Sequence, residues 1–117
     1  MILNIQQRLQ SISPLVRKVT AVEAAKECTK NHGTVIDVRE PSECEASPTK
    51  GSINIPRGVL EMKIIDQFKD PGHPFYLHCA SGVRAQLAAE QLLNMGYTSV
   101  SAITCNIKSI AEVDFSE

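Results

Sequence analysis

The sequence contains no tryptophan and only five aromatic residues, three Phe and two Tyr, so its interior has to be built from Ile, Val, Leu and Ala. Neither sign of charge is in excess, because 12 Lys and Arg stand against 13 Asp and Glu. A chain without a basic surplus cannot neutralise successive phosphates or hold an anionic membrane, so neither nucleic acid nor membrane is expected as a partner. Long apolar runs are missing too. Met1 to Pro14 is broken by Asn4, Gln6, Gln7, Arg8 and Gln10, so no secretory leader is expected there, and no stretch approaches membrane-spanning length. The cysteines Cys28, Cys44, Cys79 and Cys105 form no C-x-x-C pair, which removes the usual zinc and dithiol motifs. A cytoplasmic setting with reduced thiols is expected, with no metal and no organic cofactor.

What is present suits one globular domain. The chain has 117 residues, 43% of them hydrophobic, enough for a single core and too few for two. Residues 1–13 read as an N-terminal extension and residues 14–117 as the domain. Leu15 to Val19 is a strand candidate, and Thr20 with Glu23 forms a capping box ahead of a helix whose apolar face holds Ala21, Ala24, Ala25 and Cys28. That helix should end near His32, with Gly33 as its left-handed stop. Thr34 to Val38 reads as a buried strand. Pro41 can open a short helix through Cys44, and Ile53 to Ile55 is a strand stopped by Pro56. Leu60, Ile64 and Phe68 recur at helical spacing, and Phe75 to His78 reads as a strand. A long helix follows from Arg84, with Ala88, Leu92 and Met95 on one face and Gly96 at its stop, and Tyr97 to Ile103 is the last strand.

Strands alternating with helices imply an α/β fold, doubly wound, with a mostly parallel five-stranded sheet and helices on both faces. Ligands of such sheets bind outside the carboxyl ends of the strands, where the winding changes direction. Asp37, His78 with Cys79, and Cys105 all fall at or just past such ends.

The stretch His78-Cys79-Ala80-Ser81-Gly82-Val83-Arg84 runs from a strand directly into a long helix. A loop placed there can curl until its backbone N–H groups converge on one point, at which the positive end of the helix is also aimed. Such a cradle binds an anion. A cysteine at its centre has its thiolate favoured by those dipoles and by Arg84, which makes it a nucleophile. Gly82 permits the curl, Ser81 can add a hydroxyl donor, and Arg84 offers a planar fork for an oxyanion.

These residues carry a resemblance. Over roughly residues 14–104 the chain resembles a single-domain rhodanese, a sulfurtransferase. In that family a strand ends in the active cysteine and a C-x-x-x-x-R loop follows, which Cys79 to Arg84 matches. Val35-Ile36-Asp37-Val38-Arg39-Glu40-Pro41 and Gly51-Ser52-Ile53-Asn54-Ile55-Pro56 resemble the opening and the close of its first signature. Pro48-Thr49-Lys50 stands where the family commonly has Gly-His-Ile. Thr104-Cys105-Asn106 stands in place of a Gly-Gly pair, and the family's later Trp is missing. The resemblance implies attack by Cys79 on the sulfane sulfur of a small anionic donor such as thiosulfate. A persulfide then forms on Cys79 and passes to cyanide, a small thiol or a protein cysteine. The loop residues Ala80, Ser81, Gly82, Val83 and Arg84 would bind the donor, and Asp37 and Arg39 would support the loop.

Two other readings use the same residues. A phosphatase or arsenate reductase also places His-Cys before a loop ending in Arg, but with five intervening residues rather than the four found here. A non-catalytic or redox module would pair Cys79 with Cys105, although Cys105 is more simply a small residue filling a turn. The plainer expectation for Arg39 is a surface residue paired with Glu40 or Glu43. That for Asp37 is a strand-end carboxylate, and for His78 a strand-end residue with a backbone partner. Cys28 and Cys44 read as structural.

Overall fold

The computed structural model describes residues 1–116. Five strands form one sheet: β1 (Arg17–Val19), β2 (Thr34–Asp37), β3 (Ile53–Asn54), β4 (Phe75–His78) and β5 (Val100–Ile103). Their order is β1-β5-β4-β2-β3, and every described pairing is parallel. The helices are α1 (Ile5–Ile12), α2 (Ala21–Asn31), α3 (Pro41–Ala46), α4 (Leu60–Gln67), α5 (Val83–Asn94) and α6 (Ile107–Ala111), with a 3-10 turn at Arg57–Val59 ahead of α4. From β2 the chain steps outward to β3, returns to β4 on the other side of β2, and then continues the opposite way to β5. The winding therefore reverses between β2 and β4, where Asp37 lies opposite His78.

Side-chain alternation along these strands builds two cores. Ile36, Phe75, Leu77, Val100 and Ala102 point to one face, where they meet Ile12 of α1, Leu60 and Ile64 of α4, and Ala85, Ala88, Ala89 and Leu92 of α5. Val19, Val35, Tyr76 and Ile103 point to the other, against Ala21, Ala24 and Cys28 of α2 and Ile110 of α6. Both faces are covered, which is why the strands read as apolar runs rather than alternating ones.

Three local outcomes differ from the sequence expectations. Residues 1–13 carry a helix: Asn4 and Gln7 form its capping box, Ile12 enters the core, and Arg8 pairs with Glu90 of α5. Helix α2 starts on the Thr20–Glu23 box, but its left-handed terminal residue is His32, at φ 56°, rather than Gly33. Gly33 answers to space instead, because a Cβ there would lie 2.9 Å from the Tyr76 ring and 3.0 Å from the Pro74 carbonyl. A short helix, α6, follows β5. Its first amide, Ile107 N, donates to the Ala80 carbonyl at 2.9 Å and so ties the last connection to the Cys79 loop.

Candidate active site

Strand β4 ends at His78, and the chain turns immediately into the loop that opens α5. Gly82 is the residue before the helix and sits at φ 91°, where side chains are disfavoured. An added Cβ there would also approach Thr104 Cα to 3.2 Å, so the loop is seated against the end of β5. The curl brings two amides onto one sulfur. Cys79 Sγ accepts from Gly82 N at 3.1 Å and from Ala85 N at 3.4 Å. Ala85 is the third residue of α5, so its N–H is among the helix-start donors that have no intrahelical partner. Cys79 Sγ thus stands where the helix dipole favours negative charge, and the residue is 1% exposed. Ser81 is exposed at the rim, while Ala80 and Val83 are half-buried.

Arg84 departs from expectation. Its fork does not stand open for an oxyanion: Nη1 donates to Glu43 Oε1 at 2.7 Å and Nη2 to Glu43 Oε2 at 2.9 Å. The Arg84 guanidinium holds the Glu43 carboxyl down at about 2, and Glu43 in turn raises Arg84 above its ordinary value. Glu43 was expected, at most, as a partner of a surface Arg39. The structure buries Arg39 instead and leaves Glu43 for Arg84.

Beside the loop lies a buried polar group. Arg39 donates from Nε and Nη2 to the Asp37 carboxylate at 3.0 and 2.7 Å, and from Nη2 to the Ser47 carbonyl at 2.7 Å. Both members of the pair are 2% exposed in their side chains. Burial is the largest influence and alone would push the Asp37 carboxyl up, but the Arg39 hydrogen bonds, His78 and the Cys44 hydrogen bond together leave it below its ordinary value. Asp37 Oδ2 also accepts from Cys44 Sγ at 3.3 Å; burial first, then that carboxylate, pushes the Cys44 thiol up to about 11. Asn54 Nδ2 donates to the carbonyls of Asp37 and Arg39, both at 2.9 Å, and locks the turn after β2.

His78 completes this group. Its backbone carbonyl accepts from Val38 N at 2.9 Å, and its ring Nε2 lies 3.4 Å from Thr49 Oγ1. Nδ1 makes no hydrogen bond and stands 3.9 Å from Asp37 Oδ1. Burial pushes the imidazole below its ordinary value, against the pull of Asp37. A neutral ring is the result, and the side chain is fully enclosed.

Sequence reasoning gave no place in the site to Glu43, Thr49 or Asn54. The i, i+3 box between Glu40 and Glu43 signalled only a helix start, and the signal for Thr49 was the departure from the usual Gly-His-Ile. Cys105 is not paired with Cys79, and none of the four cysteines forms a disulfide. Cys105 Sγ accepts instead from Ala21 N at 3.3 Å.

Known proteins resemble this chain to different extents. A family model described as Rhodanese-like domain matches residues 19–112. The chain is 33% identical over 86 residues to the tRNA sulfurtransferase of Shewanella frigidimarina, which covers 72% of this chain and 18% of that protein. It is 34% identical over 65 residues to the thiosulfate sulfurtransferase PspE of Escherichia coli K12, covering 56% of this chain and 62% of that one. The chain spans less than two thirds of the length of the curated relatives it matches. Among solved structures, a protein of Rhodopseudomonas palustris CGA009, described as of unknown function and a possible tyrosine phosphatase, superposes with a TM-score of 0.80. The two are 26% identical, over 96% of this chain and 92% of that one. Because the family model spans well over half of the sequence and encloses both β2 and the Cys79 loop, this chain belongs to the rhodanese-like domain family.

Proposed function

We propose that the protein is a sulfurtransferase that moves a sulfane sulfur from a donor such as thiosulfate to a thiophilic acceptor, cyanide or a thiol, through a persulfide on Cys79. The observation that carries this reading is the pair of amides, Gly82 N and Ala85 N, aimed at Cys79 Sγ. In the first step the Cys79 thiolate attacks the outer sulfur of thiosulfate. A new S–S bond forms, the donor's S–S bond breaks, and sulfite leaves with the electron pair. In the second step the acceptor attacks the outer sulfur of the persulfide and Cys79 departs as a thiolate. The same two amides are placed to donate to the attacking sulfur of Cys79 and to the sulfur chain it carries after the first step.

Asp37 and Arg39 act at a distance from the sulfur. Their pair fixes the turn after β2 against α3, through the Glu43 and Ser47 carbonyls, and so supports the site from beside the loop. Ala80, Ser81 and Val83 shape the rim. A reducing compartment such as the cytoplasm suits this chemistry, because the cycle begins from a reduced thiol.

The test is turnover with thiosulfate and cyanide, read as thiocyanate. Wild-type protein is expected to turn over, and Cys79→Ser to lose all activity above background. A phosphatase reading draws on the likeness to the Rhodopseudomonas palustris structure. Hydrolysis of an aryl phosphate dependent on Cys79, without thiocyanate formation, would establish that reading and overturn the first.

A further inference from the structure

Two ion pairs lie at or near the Cys79 loop. Asp37 cancels Arg39, and Glu43 cancels Arg84. A thiolate on Cys79 then adds one uncompensated negative charge to the site. The loop's own cation is not free to offset it, because both terminal nitrogens of Arg84 are bonded to Glu43.

Glu43 is not a loose surface partner. Its Oε1 also accepts from Glu40 N at 3.0 Å, and its backbone carbonyl accepts from Arg39 Nη1 at 3.3 Å. The buried Arg39 therefore anchors the main chain of α3 while Arg84 holds the side chain. A carboxylate fixed at three points gives up little further conformational freedom to keep its place, so it competes well with an incoming anion for the same guanidinium.

We propose that Glu43 selects the sulfur donor: by occupying the Arg84 fork it disfavours dianionic donors such as thiosulfate and favours donors of lower charge, of which a thiol persulfide is the chemical type. This rests on the sulfurtransferase reading. Thiosulfate must displace Glu43 or approach a thiolate without a free counter-charge. A persulfide needs no oxyanion clamp. The Cys79 thiolate attacks the terminal sulfur of R–S–SH, the donor's S–S bond breaks, and R–S⁻ leaves with the electron pair. The proton stays on the transferred sulfur, giving Cys79–S–SH, so atoms and charge balance.

The experiment follows sulfur loading of Cys79 by time-resolved intact mass, without an acceptor, over a range of concentrations of thiosulfate or of 2-mercaptoethanol persulfide, which carries at most one negative charge. Cys79→Ser supplies the background. Wild-type protein is expected to load faster from the persulfide at equal low concentration. In Glu43→Gln the ratio of thiosulfate to persulfide loading should rise about fivefold, through a lower half-saturating thiosulfate concentration, the size expected for a half-exposed ion pair. Glu43→Ala should shift the ratio the same way. Adding Glu43→Gln to Arg84→Gln should leave the ratio where Arg84→Gln puts it, because Glu43 acts through that fork. Equal loading of wild-type protein from both donors, or an unchanged ratio in both Glu43 variants, overturns the proposal while leaving sulfur transfer intact. Loading from neither donor overturns sulfur transfer and this inference together.

Discussion

Two ion pairs flank one cysteine, and they differ in nearly everything but chemistry. Asp37–Arg39 is 2% exposed on both sides and closes over two residues of sequence. Glu43–Arg84 is 35–37% exposed and joins residues 41 apart. The first has nowhere to go: burial makes an unmatched charge costly, and Arg39 spends further donors on the Ser47 and Glu43 carbonyls. The second is in partial contact with water, where an ion pair is worth little and can exchange partners. Burial thus separates the two pairs: the inner one is enclosed by the fold, and the outer one meets solvent at the start of α5.

The strongest way to break this contrast is to neutralise one member of each pair. Asp37→Asn leaves the Arg39 guanidinium buried without a counter-charge, and should cost about 3–5 kcal/mol in urea unfolding. A cost below about 1 kcal/mol would place Arg39 in contact with water and erase the distinction.

Gly82→Ala attacks the loop that lies between the pairs. Its left-handed backbone, together with Thr104 Cα 3.2 Å from the added Cβ, should cost about 1–2 kcal/mol and slow sulfur loading. Unchanged stability with unchanged loading would show that the curl tolerates a side chain.

The buried His78 gives the inner region a pH signature. Its folded value lies below that of a free imidazole near 6.5, so the unfolded chain binds the extra proton first as pH falls. Stability should therefore be unaffected by His78 above about pH 7 and decline below about 6.5, by at most about 1.4 kcal/mol per pH unit for one proton. Comparing wild type with His78→Asn by urea unfolding at pH 7.5 and 5.5 checks this. The variant should lose less stability on acidification, and equal losses would assign the slope elsewhere.

The smallest effect belongs to the outer pair. Glu43→Gln should change stability by less than about 1 kcal/mol, and high salt should remove most of even that. Since Glu43 is held at about 2 against an ordinary 4.5, its contribution is present above pH 4.5 and lost only as pH falls toward 2. A loss comparable to that of Asp37→Asn would make the two pairs equivalent.

The same contrast explains what could be read from the sequence. The Cys79 loop is a local device, in which strand, cysteine, glycine and helix start follow one another within seven residues, so its shape follows from neighbouring residues. Asp37 and Arg39 are also close in sequence, and a charged residue at the end of an apolar strand signals a buried partner. Glu43 and Arg84 meet only because α3 is brought beside the start of α5, which no local pattern encodes. Helix α1 was missed for another reason: Ile5, Leu9 and Ile12 do fall at helical spacing, but the polar residues between them are read only as excluding a leader, and Leu9 and Ile12 alone reach the core. His32 rather than the neighbouring Gly33 takes the left-handed position, and the space a Cβ at Gly33 would need is filled by the Tyr76 ring.

The central claim is that one thiol among four, the one on the Gly82 and Ala85 amides, carries the transferred sulfur. Peptide-level mass analysis after incubation with thiosulfate tests it most directly. The account predicts one added sulfur atom, confined to the peptide containing Cys79, removed by cyanide and absent from Cys79→Ser. Sulfur found on Cys28, Cys44 or Cys105 instead, or still added to Cys79→Ser, would contradict it.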